Sequence, residues 1–322
     1  MPVHAFVFPG QGSQAVGMGR DLAAAFAAAR AVFEEVDETL KQKLSKLMFE
    51  GPAEELTLTT NAQPALMAVS LAALRVLESE GGFTLREKAA LVAGHSLGEY
   101  AALAAAGAFD IATAAALLRR RGEAMQRAVP PGLGAMAALL GVEPDQAAEI
   151  CAAAAPVPDS DPPAREVIDP ANDNGGGQVV VSGHRTAVER AVEIARARGI
   201  RRAMLLPVSA PFHCTLMAPA AEVMAEALTE TPPRPPAVPV VANASAAKAT
   251  DPDEIRDLLV RQVTATVRWR ESVAAMTAMG IDSFVELGAG KVLGGLIRRI
   301  APDAAVAAAG TPAEVEAVLK AL

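Results

Sequence analysis

Gly94-His95-Ser96-Leu97-Gly98 separates two stretches of different character. Residues 89–93 form a short apolar run that suits a buried strand, and residues 99–106 are rich in strong helix formers. A Gly-x-Ser-x-Gly pattern between a strand and a helix is a nucleophile elbow, a turn so tight that its neighbours must be small. It presents Ser96 Oγ at a helix N-terminus, where backbone N–H groups such as that of Leu97 and the helix dipole stabilise an oxyanion. The flanks carry the specificity of the signal. They favour a catalytic serine acting on an acyl group over a plain glycine-rich turn.

At 322 residues the chain is long enough for one large domain or a domain plus a subdomain. Hydrophobic residues make up 52%, but many are alanine, so a mean hydropathy of +0.27 does not argue for a membrane protein. Residues 56–74, a long uncharged stretch, are broken by Thr57, Thr59, Thr60, Asn61, Gln63, Pro64 and Ser70, and no transmembrane segment is expected. The first residues show no basic segment followed by an apolar one, which points to the cytoplasm. Cys151 and Cys214 form neither a disulfide framework nor a metal-ligand spacing. A net charge of −8 with 3% aromatics argues against nucleic-acid binding.

The order of elements predicts an α/β fold. Residues 5–8 read as a strand, 21–49 as helical, and 65–78 as a buried helix entered at Pro64. The elbow strand and its helix follow, then a helix over 111–128. Strand–helix alternation with apolar strands predicts a parallel sheet of the hydrolase-like kind. The middle of the chain differs. It reads as strand 134–141, helix 144–154, a Pro-rich loop over 155–177 with a short strand at 166–168, strand 178–182, helix 185–198 and strand 202–208. That β-α-β-β-α-β order is the signature of a ferredoxin-like subdomain. The predicted division is a discontinuous catalytic core, 1–129 and 207–322, with an inserted subdomain, 130–206. Strand 238–242, helices 252–264 and 269–279, strand 283–286 and a final helix behind a capping box at Thr311-Pro312-Ala313-Glu314 complete the core.

A serine nucleophile needs a base, and the histidines are His4, His95, His184 and His213. His4 opens a strand and His184 lies at a strand-to-helix turn, so both read as structural or surface residues. His95 is adjacent to Ser96, and consecutive side chains at a tight turn diverge. His213, just past an apolar strand, is favoured as the base. Cys214 is a poorer nucleophile candidate. No acidic residue stands out as a third triad member, which weakens a simple esterase reading; a backbone carbonyl is the alternative way to orient His213. Gly10-Gln11-Gly12-Ser13-Gln14-Ala15 fits a dinucleotide fingerprint loosely, but a long helical pattern replaces the required second strand and acid. A nicotinamide site is rejected, and the loop is left with a backbone N–H at Gln11 for an oxyanion.

These motifs converge. Phe8-Pro9-Gly10-Gln11-Gly12-Ser13-Gln14, Asn61-Ala62-Gln63-Pro64-Ala65, the elbow with Glu99-Tyr100, Arg121-Gly122, His213-Cys214, Arg261-Gln262, Val267-Arg268-Trp269 and residues 286–293 together resemble the malonyl-CoA:acyl-carrier-protein transacylase family. The resemblance spans nearly the whole chain in the family's order, with a longer Pro-rich loop as the departure. It implies that Ser96 is acylated, that His213 is the base, and that Gln262 lends its backbone carbonyl to His213. It also implies that Arg121 holds the malonyl carboxylate, with Gln63 and Phe212 in supporting positions. Malonyl-CoA and an acyl carrier protein are the expected substrate and partner, with no metal or cofactor, and the protein is expected to be a monomer.

Residues 119–121, all arginine, read as the close of their helix, a place where solvated cations suit the dipole. A buried Arg121 would instead pair bidentately with a carboxylate and reject neutral acyl groups, which leave its charge unpaired. Two rivals follow from the same residues, a thioesterase-type serine hydrolase and a non-catalytic carrier-docking module. Within the transferase reading, supply of fatty-acid synthesis is the first expectation and a trans-acting polyketide role the alternative. The site residues do not separate them, because both use the same site. Arginines between 185 and 202, and Lys291, Arg298 and Arg299, are candidate contacts for an acidic carrier.

Overall fold

The computed structural model describes residues 3–158 and 160–322; Asp159, in the Pro-rich loop, lies outside the described residues. In chain order the strands are β1 (His4–Phe8), β2 (Ala89–Gly94), β3 (Gly134–Leu140), β4 (Ile168–Asp173), β5 (Gln178–His184), β6 (Arg202–Leu205), β7 (Val240–Val241), β8 (Lys248–Ala249), β9 (Ser283–Leu287) and β10 (Ala305–Ala309). One sheet runs β10-β9-β1-β2-β7-β8, parallel from β10 to β7, with β8 antiparallel at its edge. Its central strands β1 and β9 are buried at every residue, as continuous apolar runs in parallel sheets are. A second sheet, antiparallel, runs β4-β5-β3-β6 and has its own apolar cluster around Leu139, Ile150, Val181 and Val188. No helix among the described residues is long and apolar enough to cross a membrane.

Several elements differ from the sequence expectation. The helix expected over 21–49 is three, Arg20–Ala25, Ala27–Leu40 and Leu44–Glu50. Phe26 is extended and Lys41 left-handed (φ 49°), and each breaks the ladder. The helix expected from Pro64 is Thr59–Gly81, with the proline inside it. Proline forfeits one backbone hydrogen bond there, and burial of every residue from 61 to 77 except Arg75 outweighs it. The strand expected at 166–168 is β4, displaced toward Asp173. Its Pro170 is tolerated because β4 is an edge strand with an irregular register at that point. Strands β6 and β7 are shorter than expected, ending at Leu205 and Val241. Thr311 does cap the helix Pro312–Ala321, but the Glu314 carboxylate binds Gly310 N and Lys291 Nζ, so only half of the capping box forms.

The three arginines do not close their helix, which continues from Ile111 to Ala128. Successive helical positions point about 100° apart, so the run distributes its charges around the axis. Arg120 pairs with Glu226 and Glu230 at the surface, and Arg119 donates to Gln42. Arg121 points inward and is 1% exposed.

The elbow helix, Leu97–Ala105, lies directly on the parallel sheet. A Cβ on Gly94 would stand 1.9 Å from the Gly98 carbonyl carbon, and one on Gly98 would stand 2.2 Å from Phe8 O. Backbone cannot rotate aside as a side chain can, so both positions require glycine. Gly98→Ala is expected to lower the unfolding free energy by about 3 kcal/mol, read as a fall in the urea midpoint. An unchanged midpoint would mean that the helix can slide away from β1.

Candidate active site

Phe8, Gly94 and Val241 end adjacent parallel strands at one edge of the sheet, so the loops that follow them meet at the carboxyl ends, where α/β sheets bind ligands. Ser96 follows β2 as the residue before the elbow helix, with φ 54° and ψ −111°. Its Oγ lies 2.7 Å from His213 Nε2. His213 arrives from the segment after β6, also with a positive φ of 57°. The base and nucleophile expected from the sequence are therefore in contact.

The opposite ring nitrogen, Nδ1, lies 2.9 Å from the backbone oxygen of Gln262. A carbonyl only accepts, so Nδ1 carries the proton and Nε2 is free to take one from Ser96. Gln262 is the last residue of the helix Pro252–Gln262, where carbonyls have no partner within the helix and the dipole is negative. That carbonyl occupies the place of the missing acid. Burial, and then the charge of Arg121, pull the His213 pKa down to about 3, so the ring stays neutral in the free protein.

Arg121 Nη1 donates to Gln63 Oε1 at 2.9 Å, and Nη2 donates to Gln262 Oε1 at 2.8 Å and Ser96 Oγ at 3.2 Å. The guanidinium carbon lies 5.7 Å from the centre of the Tyr100 ring, and Nε has no partner among the described residues. Both supporting glutamines thus meet the arginine through neutral oxygens, and donors remain for an anion. Gln11, Leu97 and Phe212 line the same cavity, together with Met125, Met136, Val180 and Val208. No backbone or side-chain acceptor among the described residues takes the N–H of Gln11 or of Leu97. A neighbouring cavity shares Gln11, His95, Asn172, Val180, Leu206 and Val208 and adds the amides of Gln14, Asn174 and Gln178.

Residues the sequence reading did not single out complete the network. Asn243, after β7, accepts from Ser96 N and donates to Gly94 O. Glu99 Oε2 accepts from Asn243 N and Gln262 Nε2, both at 2.9 Å. Burial pushes the Glu99 carboxyl up to about 7 against those hydrogen bonds and Arg121. Glu99 stood inside a quoted motif, and an asparagine just past a strand end was the available signal for Asn243. His95 turns away from Ser96 to Asn174 Oδ1 at 2.9 Å, and His184 Nδ1 accepts from Val167 N. Burial raises the Cys214 thiol to about 11, and it donates to Pro211 O, which disfavours a thiolate nucleophile. Among the basic clusters, Arg185, Arg190, Arg198 and Lys291 each pair with a neighbouring glutamate. Among the described residues no cluster of metal-ligating side chains occurs.

The depressed His213 pKa has a kinetic consequence, since a base that stays neutral does not lose activity through the ordinary histidine range near pH 6.5 as the pH falls. The acylation rate of Glu99→Gln, with the other ionisable group of the network removed, should stay flat from about pH 5 to 8. A fall centred near the ordinary value in that variant would show that His213 titrates like an exposed histidine.

The model of the acyl transferase domain family matches residues 5–309. Malonyl CoA-acyl carrier protein transacylase of Escherichia coli strain K12 is 45% identical over 320 residues, covering 99% of this chain and 100% of that protein. The crystal structure of acyl-carrier-protein-S-malonyltransferase from Bartonella henselae is similar at a TM-score of 0.94 and 52% identity, covering 99% of each chain. A malonyl-transacylase solved in complex with a type II PKS acyl-carrier protein is similar at a TM-score of 0.93 and 40% identity, covering 99% of this chain and 100% of its own. With a serine–histidine pair and a buried arginine at the strand ends, this chain belongs to the acyl transferase domain family, among its malonyl CoA-acyl carrier protein transacylases.

Proposed function

We propose that this protein transfers malonyl from malonyl-CoA to the phosphopantetheine thiol of an acyl carrier protein, through a malonyl ester on Ser96. The observation that carries this reading is the meeting of three groups at one oxygen: Ser96 Oγ is 2.7 Å from the His213 base and 3.2 Å from the Arg121 cation. His213 Nε2 takes the Ser96 proton as Oγ attacks the thioester carbonyl. The backbone N–H groups of Gln11 and Leu97 hold the oxyanion, in a site walled by apolar side chains where such donors act strongly. The C–S bond breaks, and the CoA sulfur leaves with the proton held by His213. The carrier thiol then gives its proton to His213 and attacks the ester carbonyl, the C–O bond to Ser96 breaks, and His213 passes that proton to Ser96 Oγ. The scheme uses no metal or redox cofactor.

Arg121 selects the acyl group. A malonyl carboxylate pairs with the guanidinium, whereas an acetyl or fatty acyl group leaves a buried charge without an anion. Gln63 and Gln262 hold the fork in place, and Phe212 narrows the pocket near the malonyl carbon. The amide-lined cavity beside the site takes the pantetheine arm, whose own amides match it. The core, 1–129 and 207–322, is hydrolase-like, and 130–206 is an inserted ferredoxin-like subdomain, in keeping with the strand order β4-β5-β3-β6. Supply of fatty-acid synthesis is the main reading. Supply of a polyketide carrier is the second, favoured by the relative solved with a type II PKS acyl-carrier protein.

Mixing with malonyl-CoA should raise the intact mass by one malonyl unit, and Ser96→Ala should abolish the adduct; an adduct retained in that variant would sink the assignment. Hydrolysis to free malonate without transfer would favour the hydrolase rival. Arg121→Ala should lose malonyl transfer while gaining relative activity on acetyl-CoA, and an equal fall on both substrates would make Arg121 purely structural. For Phe212→Ser, discrimination against a 2-methyl branch should relax by about 1–3 kcal/mol at most, read as the ratio of kcat/KM for malonyl-CoA and methylmalonyl-CoA.

A further inference from the structure

Ser96 occupies a backbone conformation, φ 54° and ψ −111°, that residues with a Cβ rarely adopt. Such a conformation persists only where the surroundings hold it. On one side the elbow is held by the sheet, through His95 N donating to Phe8 O at 3.0 Å. On the other side two side chains do the holding: Gln262 Nε2 donates to Ser96 O at 3.0 Å, and Asn243 makes two contacts. Asn243 Oδ1 accepts from Ser96 N at 2.7 Å, and Asn243 Nδ2 donates to Gly94 O at 2.6 Å. The two contacts lie either side of His95, so one carboxamide spans the whole turn.

We propose that Asn243 is a positioning residue: its carboxamide clamps the elbow and so holds Ser96 Oγ in line with the His213 base. This rests on the reading of Ser96 as the acylated residue. Asn243 is fully buried, and its own N–H donates to Glu99 Oε2 in the first turn of the elbow helix. Gly94, Ser96 and Glu99 are therefore all tied to one residue that reaches them from the far end of β7. The chemistry demands an amide. The turn offers a donor at Ser96 N and an acceptor at Gly94 O, and a side chain must present the complementary pair at that spacing. An aspartate accepts from Ser96 N but donates to Gly94 O only when protonated. An alanine leaves both backbone groups buried and unpaired.

The test compares wild type, Asn243→Ala and Asn243→Asp by the rate of malonyl ester formation at saturating malonyl-CoA, monitored by mass. Rates are taken per acylatable site, so a partly unfolded preparation does not register as a loss. Asn243→Ala should acylate about tenfold to a hundredfold more slowly, the effect of a small misplacement of a reacting group. Its half-saturating concentration should stay within about twofold of wild type, because Arg121 is not among the contacts of Asn243. Asn243→Asp fills the same volume and should be slow at about pH 8, then recover as the pH falls and its carboxyl regains a proton to donate to Gly94 O. The groups facing that carboxyl are Glu99 on the elbow helix, which favours its neutral form, and beyond it Arg121 and His213. Wild type should show no such rise. If Asn243→Ala does not fold, the pH profile of Asn243→Asp, folded at low pH, decides alone. Wild-type rates per site in both variants, or a wild-type pH profile in Asn243→Asp, would overturn the clamp. Absence of any malonyl ester on the wild-type protein would instead overturn the reading of the function.

Discussion

A permanently charged guanidinium lies buried with no carboxylate among the described residues bonded to it, and much of the site is arranged around that charge. Leaving a lone ion in a protein interior costs several kcal/mol even after relaxation, on the order of the whole margin by which folded proteins are stable. Arg121 offsets this with amide oxygens from Gln63 and Gln262 and the face of Tyr100. The Glu99 carboxyl is one amide away, bonded to Gln262 Nε2 while Gln262 Oε1 faces the arginine. A directly bonded carboxylate would have satisfied the guanidinium and closed it to a substrate. The charge also reaches His213, where it adds to burial in keeping the ring neutral.

Both members of the Ser96–His213 pair sit on backbone with positive φ, Ser96 at 54° and His213 at 57°. Strain of this kind, about 1–3 kcal/mol at each position, persists when neighbours over-determine the geometry. At Ser96 the neighbours are the glycines that let the elbow helix touch Phe8 O, together with Asn243. Beside His213, Asp169 on β4 accepts from Thr215 N and Oγ1, tying the segment that carries His213 to the antiparallel sheet. The second sheet therefore takes part in the site. It also supplies Met136, Val180 and Asn172 to the cavity walls and Asn174 to His95.

Much of the local structure was legible because the physics there is short in range. A five-residue elbow between an apolar strand and an alanine-rich helix admits few conformations, and the helices Ile111–Ala128 and Pro144–Ala154 fall where their start signals and composition place them. Failures occurred where a distant contact outweighed a local rule. Pro64 lies within a helix because burial of nearly all its neighbours compensates the lost hydrogen bond. Glu314 abandons half of a capping box for Lys291, a partner 23 positions earlier in the chain that no local pattern reveals.

Gly94, Ser96 and Gly98, read with the apolar run before them and the helix formers after them, determined that this chain builds a tight strand-to-helix elbow, because only small residues fit that turn. The scarcity of histidines then left His213 as the expected partner of Ser96, and the two are in contact. Three consecutive arginines, by contrast, are equivalent in sequence; only the rotation of their helix against the core decided that Arg121 is buried while Arg120 meets solvent. The acceptor that orients His213 and the clamp on Ser96 N come from Gln262 and Asn243, 49 and 147 residues from the groups they hold. A backbone carbonyl has no residue type, and an asparagine has many uses, so neither role is written in composition or spacing. Those partners exist because parallel strands end at a common edge, and only the packed sheets bring that edge together.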